Sequence, residues 1–130
     1  MLKFHHIGCL VGNIDESIKH YRVMLGPKSI SDKIFISSQK VMVCFVDMGN
    51  EGFVELIESM DEGSVVEGLR RKGFNYYHVG YSVSDLDKTI KELESSNFKL
   101  IDIFNSEAFD DKRCAFMYTP EMHLIELIEK

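Results

Sequence analysis

The chain has 130 residues, 45% of them hydrophobic, and a net charge of −6. This size and composition predict one globular domain, residues 1–130, with a core of its own. The acidic balance argues against nucleic acid as a partner, since nucleic-acid binding needs a basic surface. The sequence shows no apolar segment of membrane-spanning length, and its three cysteines lack CxxC spacing. Its first residues do not resemble a secretory leader, and we expect none. We therefore expect a cytoplasmic protein.

The first half of the chain predicts a strand, a helix and three further strands. Residues 4–11 alternate and are rich in β-forming side chains, which predicts the first strand. Asn13 is typical of a helix N-cap, with Glu16 three residues later, and Gly26-Pro27 predicts the end of that helix. The further strands are predicted at about residues 29–36, 41–48 and 53–58.

The second half predicts the same order of elements. Ser84 is the predicted N-cap of its helix. The strands are predicted near residues 76–83, 99–104, 113–118 and 123–129. The prediction is an α+β fold of two βαβββ modules, residues 1–59 and 75–130. Residues 60–74 form a connector between them, with a short helix.

The two halves also share residues. When the chain is shifted by 72 positions, six of the fourteen residues from position 6 to position 19 are identical, where chance gives roughly one. The likeness returns near the end of each half at a shift of 71, where the sequence ELIE occurs twice. His6 thereby corresponds to His78, and Glu55 corresponds to Glu126. The repeat predicts two modules related by a pseudo-twofold axis within one chain.

The repeated histidines and glutamates predict a metal site. Side chains alternate faces along a strand, so His6 and Gly8 share a face, and the glycine leaves open space beside the imidazole. Glu55 interrupts the apolar run FVELI with a charge that a buried strand accepts only with a partner. A single His or Glu in a strand is usually an ordinary core or surface residue, but this pair recurs in register. Divalent Zn, Ni, Co or Mn suits the resulting ligand set of His6, Glu55, His78 and Glu126.

Three polar residues beside this set receive a different interpretation. Strand alternation predicts that His5 points away from His6, and we expect it either to contact the ligands from behind or to lie at the rim of the site. Glu58 and Glu129 recur three residues beyond the proposed glutamate ligands. That odd spacing predicts solvated charges on the opposite face of the sheet.

Four segments carry a family resemblance: HHIGCLVGNIDESIKHYRVMLG, VELIES, YHVGYSVSDLDKTIKEL and LIELIEK. In this order and spacing they resemble the vicinal oxygen chelate superfamily, which includes glyoxalase I, methylmalonyl-CoA epimerase, bleomycin-resistance proteins and extradiol dioxygenases. The resemblance spans essentially the whole chain. It implies a cupped, mostly antiparallel sheet around a cavity that binds one divalent ion, with ligands His6, Glu55, His78 and Glu126. Because family members commonly dimerise, a homodimer is expected.

Within the family the chain most resembles methylmalonyl-CoA epimerase and glyoxalase I. The resemblance implies an enzyme that transfers a proton at a carbon next to a carbonyl through a metal-stabilised enolate. Its substrate would be an acyl-CoA or a glutathione hemithioacetal. Glu55 and Glu126 are then candidate bases as well as ligands, because they come from opposite modules and could flank the reacting carbon.

Two further points stay open from the sequence. Candidate substrate contacts, with ordinary core packing as the alternative, are Phe45, Phe116 and Tyr118. A glyoxalase I-type isomerase (lactoylglutathione lyase) is an alternative to the epimerase. A protein of the bleomycin-resistance type, which sequesters a ligand without catalysis, is a second alternative.

Overall fold

Eight strands form a single sheet in the computed structural model, which describes residues 2–26 and 29–130. The strands are β1 (Lys3–Val11), β2 (Ile34–Ile36), β3 (Val41–Asp47), β4 (Phe53–Ser59), β5 (Tyr76–Val83), β6 (Lys99–Ser106), β7 (Lys112–Tyr118) and β8 (Leu124–Glu129). The α-helices are α1 (Ile14–Leu25), α2 (Glu67–Arg71) and α3 (Leu86–Glu94), and short 3-10 turns span Gly49–Glu51 and Glu107–Phe109. Within the described residues, no helix is both long and apolar enough to cross a membrane.

The order of strands in the sheet reflects the repeat. It runs β2-β3-β4-β1-β5-β8-β7-β6, so each module contributes four neighbouring strands. β1 and β5 meet antiparallel at the centre, while β1 pairs with β4, and β5 with β8, in parallel. The remaining neighbours are antiparallel. The predicted α+β fold with a cupped, mostly antiparallel sheet is therefore confirmed.

Two local predictions need correction. The second strand is shorter than predicted, since the segment before Ile34 pairs with β3 only through an isolated bridge at Ile30, and the Ser31 hydroxyl accepts from the backbone N–H of Phe45. The N-cap of α3 is Asp85 rather than Ser84, because the Asp85 carboxylate accepts from the backbone N–H of Lys88, the third residue of the helix. Pro27, predicted to stop α1, lies outside the described residues.

The helices α1 and α3 cover one face of the sheet. Ile14 of α1 packs against Leu56 and its neighbours in a buried cluster of module one. Leu86 and Ile90 of α3 do the same in module two, where Leu127 is buried. The opposite, concave face is lined by a separate set of buried side chains from both modules. Because the helices lie on one side only, the concave side is left for a site.

The repeated residues Glu58 and Glu129 hold the start of each covering helix. Glu58 Oε1 accepts from the backbone N–H of Ile14 at 2.8 Å, and Glu129 Oε2 accepts from that of Leu86 at 3.2 Å. The first N–H groups of a helix have no partner within the helix and carry partial positive charge, so a carboxylate there is stabilising. The prediction of purely solvated charges was wrong, although the predicted face was right.

Candidate metal centre

Four buried side chains from four different strands converge at the centre of the concave face. Their nearest ligand atoms all lie within 4.8 Å of one another. The exposed fractions are 0% for His6, 3% for Glu55, 2% for His78 and 5% for Glu126. Each module supplies one histidine from its first strand and one glutamate from the parallel neighbour, as the repeat predicted.

The donor atoms are spaced as ligands around one ion. His6 Nε2 and His78 Nε2 are 2.9 Å apart. Glu55 Oε1 lies 3.3 Å from both of these nitrogens, and Glu126 Oε1 lies 3.2 and 3.5 Å from them. Bonds of about 2.1 Å to a common ion give neighbouring donor atoms separations of roughly 3.0 to 3.4 Å. The four residues could therefore hold a divalent metal ion.

The two carboxylate oxygens support this interpretation independently. Although both lie close to the imidazoles, neither Glu55 Oε1 nor Glu126 Oε1 has a hydrogen-bond partner among the described residues. A buried carboxylate oxygen with no partner is costly, and an ion at the shared focus would remove that cost.

Two glycines form the base of the site and make the convergence possible. His6 faces Gly80 across the central strands, and His78 faces Gly8 in the same way. A Cβ atom at position 8 would lie 2.7 Å from Cε1 of His78, and one at position 80 would overlap the imidazole of His6. Each glycine therefore makes room for the histidine of the other module. The sequence analysis predicted open space there but did not identify its occupant.

A β-bulge in each central strand changes the position predicted for His5. The register between β1 and β5 shifts once between Phe4 and His6, and again opposite Gly8. The extra residues at these shifts are His5 in β1 and Tyr77 in β5. At a bulge the alternation of side chains is interrupted. His5 consequently lies beside His6, with its Nδ1 2.8 Å from His6 Nδ1, and the prediction that it points away was wrong.

The metal-free site is a tightly coupled set of charges. Burial alone would lower the pKa of His6, but contacts with Glu126 and Glu55 outweigh it and raise that pKa to about 9. Burial alone would raise the pKa of Glu55, but contacts with His6 and His78 lower it to about 2. The pKa of His78 is raised and that of Glu126 lowered for the same reasons. The His6 imidazole thus carries a proton that an ion would have to displace.

Aromatic rings surround the four ligands, and they do not all play the predicted part. Phe45 packs edge-on against the His6 ring with centroids 5.8 Å apart, and Phe109 stacks on the same ring at 6.1 Å. The two phenylalanine rings also contact each other, with centroids 5.7 Å apart. Phe116 packs 5.5 Å from His78. Phe109 was missed by the sequence analysis, because it lies in a 3-10 turn with no counterpart in module one.

The open side of the site leads into two adjoining cavities. The inner one, about 20 Å³ in volume, is lined by Glu55, His78, Glu126 and mainly apolar side chains, with Phe116 among them. The outer one, about 230 Å³, shares Phe116 and adds Tyr118. Phe45 is not among the residues that line either cavity. Of the three predicted substrate contacts, the structure therefore places Phe116 and Tyr118 at the cavities and Phe45 in the core.

Comparison with known proteins decides the family. The model of the Glyoxalase/Bleomycin resistance protein/Dioxygenase superfamily matches residues 5–116. The chain belongs to this superfamily. That assignment confirms the resemblance drawn from the four sequence segments. No curated protein sequence matches this glyoxalase-superfamily chain.

Solved structures of similar fold include methylmalonyl-CoA epimerases. The epimerase of Mycobacterium tuberculosis is 25% identical, with a TM-score of 0.84 over 97% of this chain and 86% of its own. A Streptomyces coelicolor epimerase variant in complex with 2-nitronate-propionyl-CoA is 20% identical, with a TM-score of 0.80 over 98% and 94%. An epimerase in complex with methylmalonyl-CoA and NH4+ is 19% identical, with a TM-score of 0.81 over 100% and 95%. The last two likenesses show the glyoxalase-superfamily fold alone.

Proposed function

We propose that this protein is a divalent-metal-dependent enzyme that transfers a proton at a carbon next to a carbonyl, in the manner of methylmalonyl-CoA epimerase. The observation that carries the proposal is the buried convergence of His6, Glu55, His78 and Glu126, with a cavity opening beside it. Buried, mutually perturbed titratable groups in a cleft are typical of catalytic sites.

The residues would divide the chemistry as follows. A divalent ion held by the four ligands would supply the Lewis-acid electrostatics that make such a carbon acidic enough to ionise. Glu55 and Glu126 would take and return the proton as carboxylates. Because they lie on β4 and β8, in opposite modules, they can approach a substrate from opposite sides. An epimerase needs that arrangement, and an isomerase can use it.

The environment of the site favours proton transfer to and from the substrate over a reaction with water. Ile36, Val43 and Ile57 line the inner cavity beside the ligands. An apolar wall excludes water, which strengthens the electrostatic interactions of a charge that develops at the reacting carbon. Phe116 and Tyr118 are the proposed substrate contacts, at the inner and outer cavities respectively.

The substrate class is supported by the structural relatives. The three solved structures described above are methylmalonyl-CoA epimerases, two of them in complex with CoA compounds, which favours an acyl-CoA substrate. A glyoxalase I-type activity on a glutathione hemithioacetal is the second candidate, because an isomerase could use the same four ligands and the same pair of carboxylates. The experiment is to assay protein loaded with Zn, Ni, Co or Mn against methylmalonyl-CoA and against the methylglyoxal–glutathione hemithioacetal. Turnover of neither by any loaded form would contradict both substrates.

Exchange of the substrate's proton with solvent distinguishes an enzyme from a protein that only binds the ligand. In deuterium oxide, the metal-loaded enzyme should incorporate deuterium at the reacting carbon. The matched variants Glu126→Gln and Glu55→Gln keep side-chain size while removing a base, and each should lose at least about a hundredfold in rate. Full turnover by Glu126→Gln would reject its role as a base.

The competing hypothesis is that the protein binds a ligand without catalysis, as bleomycin-resistance proteins do. Metal analysis of protein purified without chelator distinguishes the two. We expect about one divalent ion per chain. Absence of a stoichiometric ion would favour the binding protein. We further propose a cytoplasmic homodimer, and sedimentation at micromolar concentration tests the dimer.

A further inference from the structure

The two histidines of the site differ in the contact made by Nδ1, the ring nitrogen that points away from the other ligands. His6 Nδ1 lies 2.8 Å from His5 Nδ1. His78 Nδ1, the corresponding atom of module two, is buried and has no hydrogen-bond partner among the described residues. Tyr77, which takes the place of His5 there, packs edge-on against the His78 ring, with centroids 4.8 Å apart. The pseudo-twofold symmetry of the four ligands is therefore broken next to them.

The direction of the hydrogen bond between the two rings follows from which atom faces the ligands. His6 Nε2 is the atom within 3.3 Å of Glu55 Oε1 and 3.2 Å of Glu126 Oε1. A nitrogen that binds an ion directs its lone pair at the ion and carries no proton, so the ring proton of a neutral ligand is on Nδ1. His6 Nδ1 then donates and His5 Nδ1 accepts, and the proton of His5 is on its Nε2.

The ring of His5 is held in position by its surroundings. Its ring stacks on Phe53 with centroids 5.1 Å apart, and its centroid lies 5.4 Å from that of Phe109 and 6.0 Å from that of Phe45, both edge-on. The bulge in β1 turns it toward the concave face instead of away from it. An acceptor held in this way has little rotamer freedom to lose when the hydrogen bond forms.

We propose that His5 is a positioning residue of the metal centre, whose Nδ1 accepts from His6 Nδ1 and fixes the tautomer and ring orientation in which His6 Nε2 binds the ion. The inference rests on the metal site of the proposed function but not on the reaction. Histidines that bind metals generally donate their other ring N–H to a partner, and loss of the partner typically weakens metal binding 10- to 100-fold. The ring of His6 is thus oriented by a hydrogen bond, whereas the ring of His78 is held by packing.

Two substitutions of nearly equal shape test the role of the acceptor. In His5→Asn the amide oxygen occupies about the place of Nδ1, whereas His5→Leu has the same shape and no acceptor. Measured with Co²⁺ against a competing chromophoric chelator, His5→Leu should bind roughly 10- to 100-fold more weakly than wild type, and His5→Asn within about threefold of it. His20→Leu, the same change at an exposed residue of α1, serves as the control and should bind like wild type.

Two spectroscopic readouts separate orientation from general stability. The visible spectrum of bound Co²⁺ should change in His5→Leu and be restored in His5→Asn. Nitrogen-15 NMR of the Zn²⁺-loaded wild type should show His6 protonated at Nδ1 and His5 protonated at Nε2. If His5→Leu does not fold, His5→Gln replaces it, since its amide extends past the Nδ1 position.

Each outcome bears on a different claim. Equal Co²⁺ affinity in His5→Leu and wild type would overturn the role of His5 while leaving the proposed function in place. Equal weakening in His5→Asn and His5→Leu would also overturn it, because packing rather than the acceptor would then be responsible. A wild-type protein that binds no Co²⁺ would instead reject the metal site itself, and this inference with it.

Discussion

The imidazole of His6 lies directly over Gly80, the residue that faces it across the central strand pair. The reciprocal contact places the ring of His78 over Gly8. Each module therefore provides both a ligand and the space for the ligand of the other module. The geometry of the site depends on two positions where even a methyl group cannot be added without displacing a ring.

Substitution of Gly80 tests that dependence. Gly80→Ala should displace the His6 ring, because the added Cβ would overlap it. We expect a loss of about 1–3 kcal/mol in the free energy of unfolding, typical of an overpacked core, and weaker metal binding. Chemical denaturation with and without metal measures both. Gly68→Ala, in α2 with open space around the added Cβ, is the control and should be neutral or slightly stabilising.

Metal removal should destabilise the fold, because the four ligands join the two modules. An ion that binds only the folded chain stabilises it by about 2.7 kcal/mol at a free concentration of a hundred times the dissociation constant. Thermal unfolding in the presence of chelator should therefore occur at lower temperature than with added ion. His78→Ala should abolish the difference between the two conditions. A melting temperature that does not respond to chelator in wild type would contradict the metal site.

Metal binding should depend on pH in a defined direction. In the metal-free protein the pKa of His6 is raised to about 9, so below that pH the ring carries a proton that the ion must displace. Apparent affinity should fall as pH drops below about 9, by roughly tenfold per pH unit for each proton displaced. Calorimetry in buffers of different ionisation enthalpy counts those protons.

The variant Glu55→Gln provides the matched comparison for that pH dependence. Glu55 is one of the two carboxylates that raise the pKa of His6. Its replacement by a neutral amide should lower that pKa and move the onset of proton displacement to lower pH. An unchanged profile in this variant would show that Glu55 is not coupled to His6 in solution.

The two glutamates at the helix starts should stabilise the fold without touching the site. Glu58→Ala removes the acceptor for the backbone N–H of Ile14 and should cost about 0.5–2 kcal/mol in the free energy of unfolding. Glu58→Gln retains an acceptor but loses the charge at the helix N-terminus, so its cost should be smaller. Denaturant unfolding measures both.

Glu121→Gln, at an exposed position in the turn before β8, is the control for these substitutions. It should leave stability unchanged within about 0.5 kcal/mol. Metal affinity should be the same in all three variants, since Glu58 lies on the face of the sheet opposite the ligands. A weakened metal site in Glu58→Gln would show that the two faces are coupled.

Much of this site could be predicted from one sequence, because the chain contains an internal repeat and its two halves can be compared with each other. His6 and Glu55 are unremarkable alone, and their recurrence as His78 and Glu126 indicated that all four serve one purpose. The βαβββ order of elements in each module followed from the same repeat, and the cupped sheet was implied by the family resemblance. The repeat also aligned Asn13 with Asp85, so it contained the correct cap of α3, which a residue-by-residue reading assigned to Ser84.

What the sequence could not supply were departures from regular geometry and contacts between distant segments. A bulge adds one residue to one strand, and nothing in the run FHHIG distinguishes a bulged His5 from a regular one. The stacking of Phe109 on His6 joins a turn of module two to a strand of module one. The contact of Glu58 with Ile14 likewise depends on where α1 crosses the end of β4.

The covalent linkage of the two modules has a consequence for how a bound molecule is oriented. A dimer of identical modules would place the same residues on both sides of its axis and would present equivalent surfaces to a bound molecule. Here Tyr77 lines both cavities, whereas His5, its counterpart at the other bulge, contacts His6 and lines neither. The two flanks of a site whose ion-binding groups are nearly symmetric therefore differ, and the two ends of a bound molecule meet different surroundings.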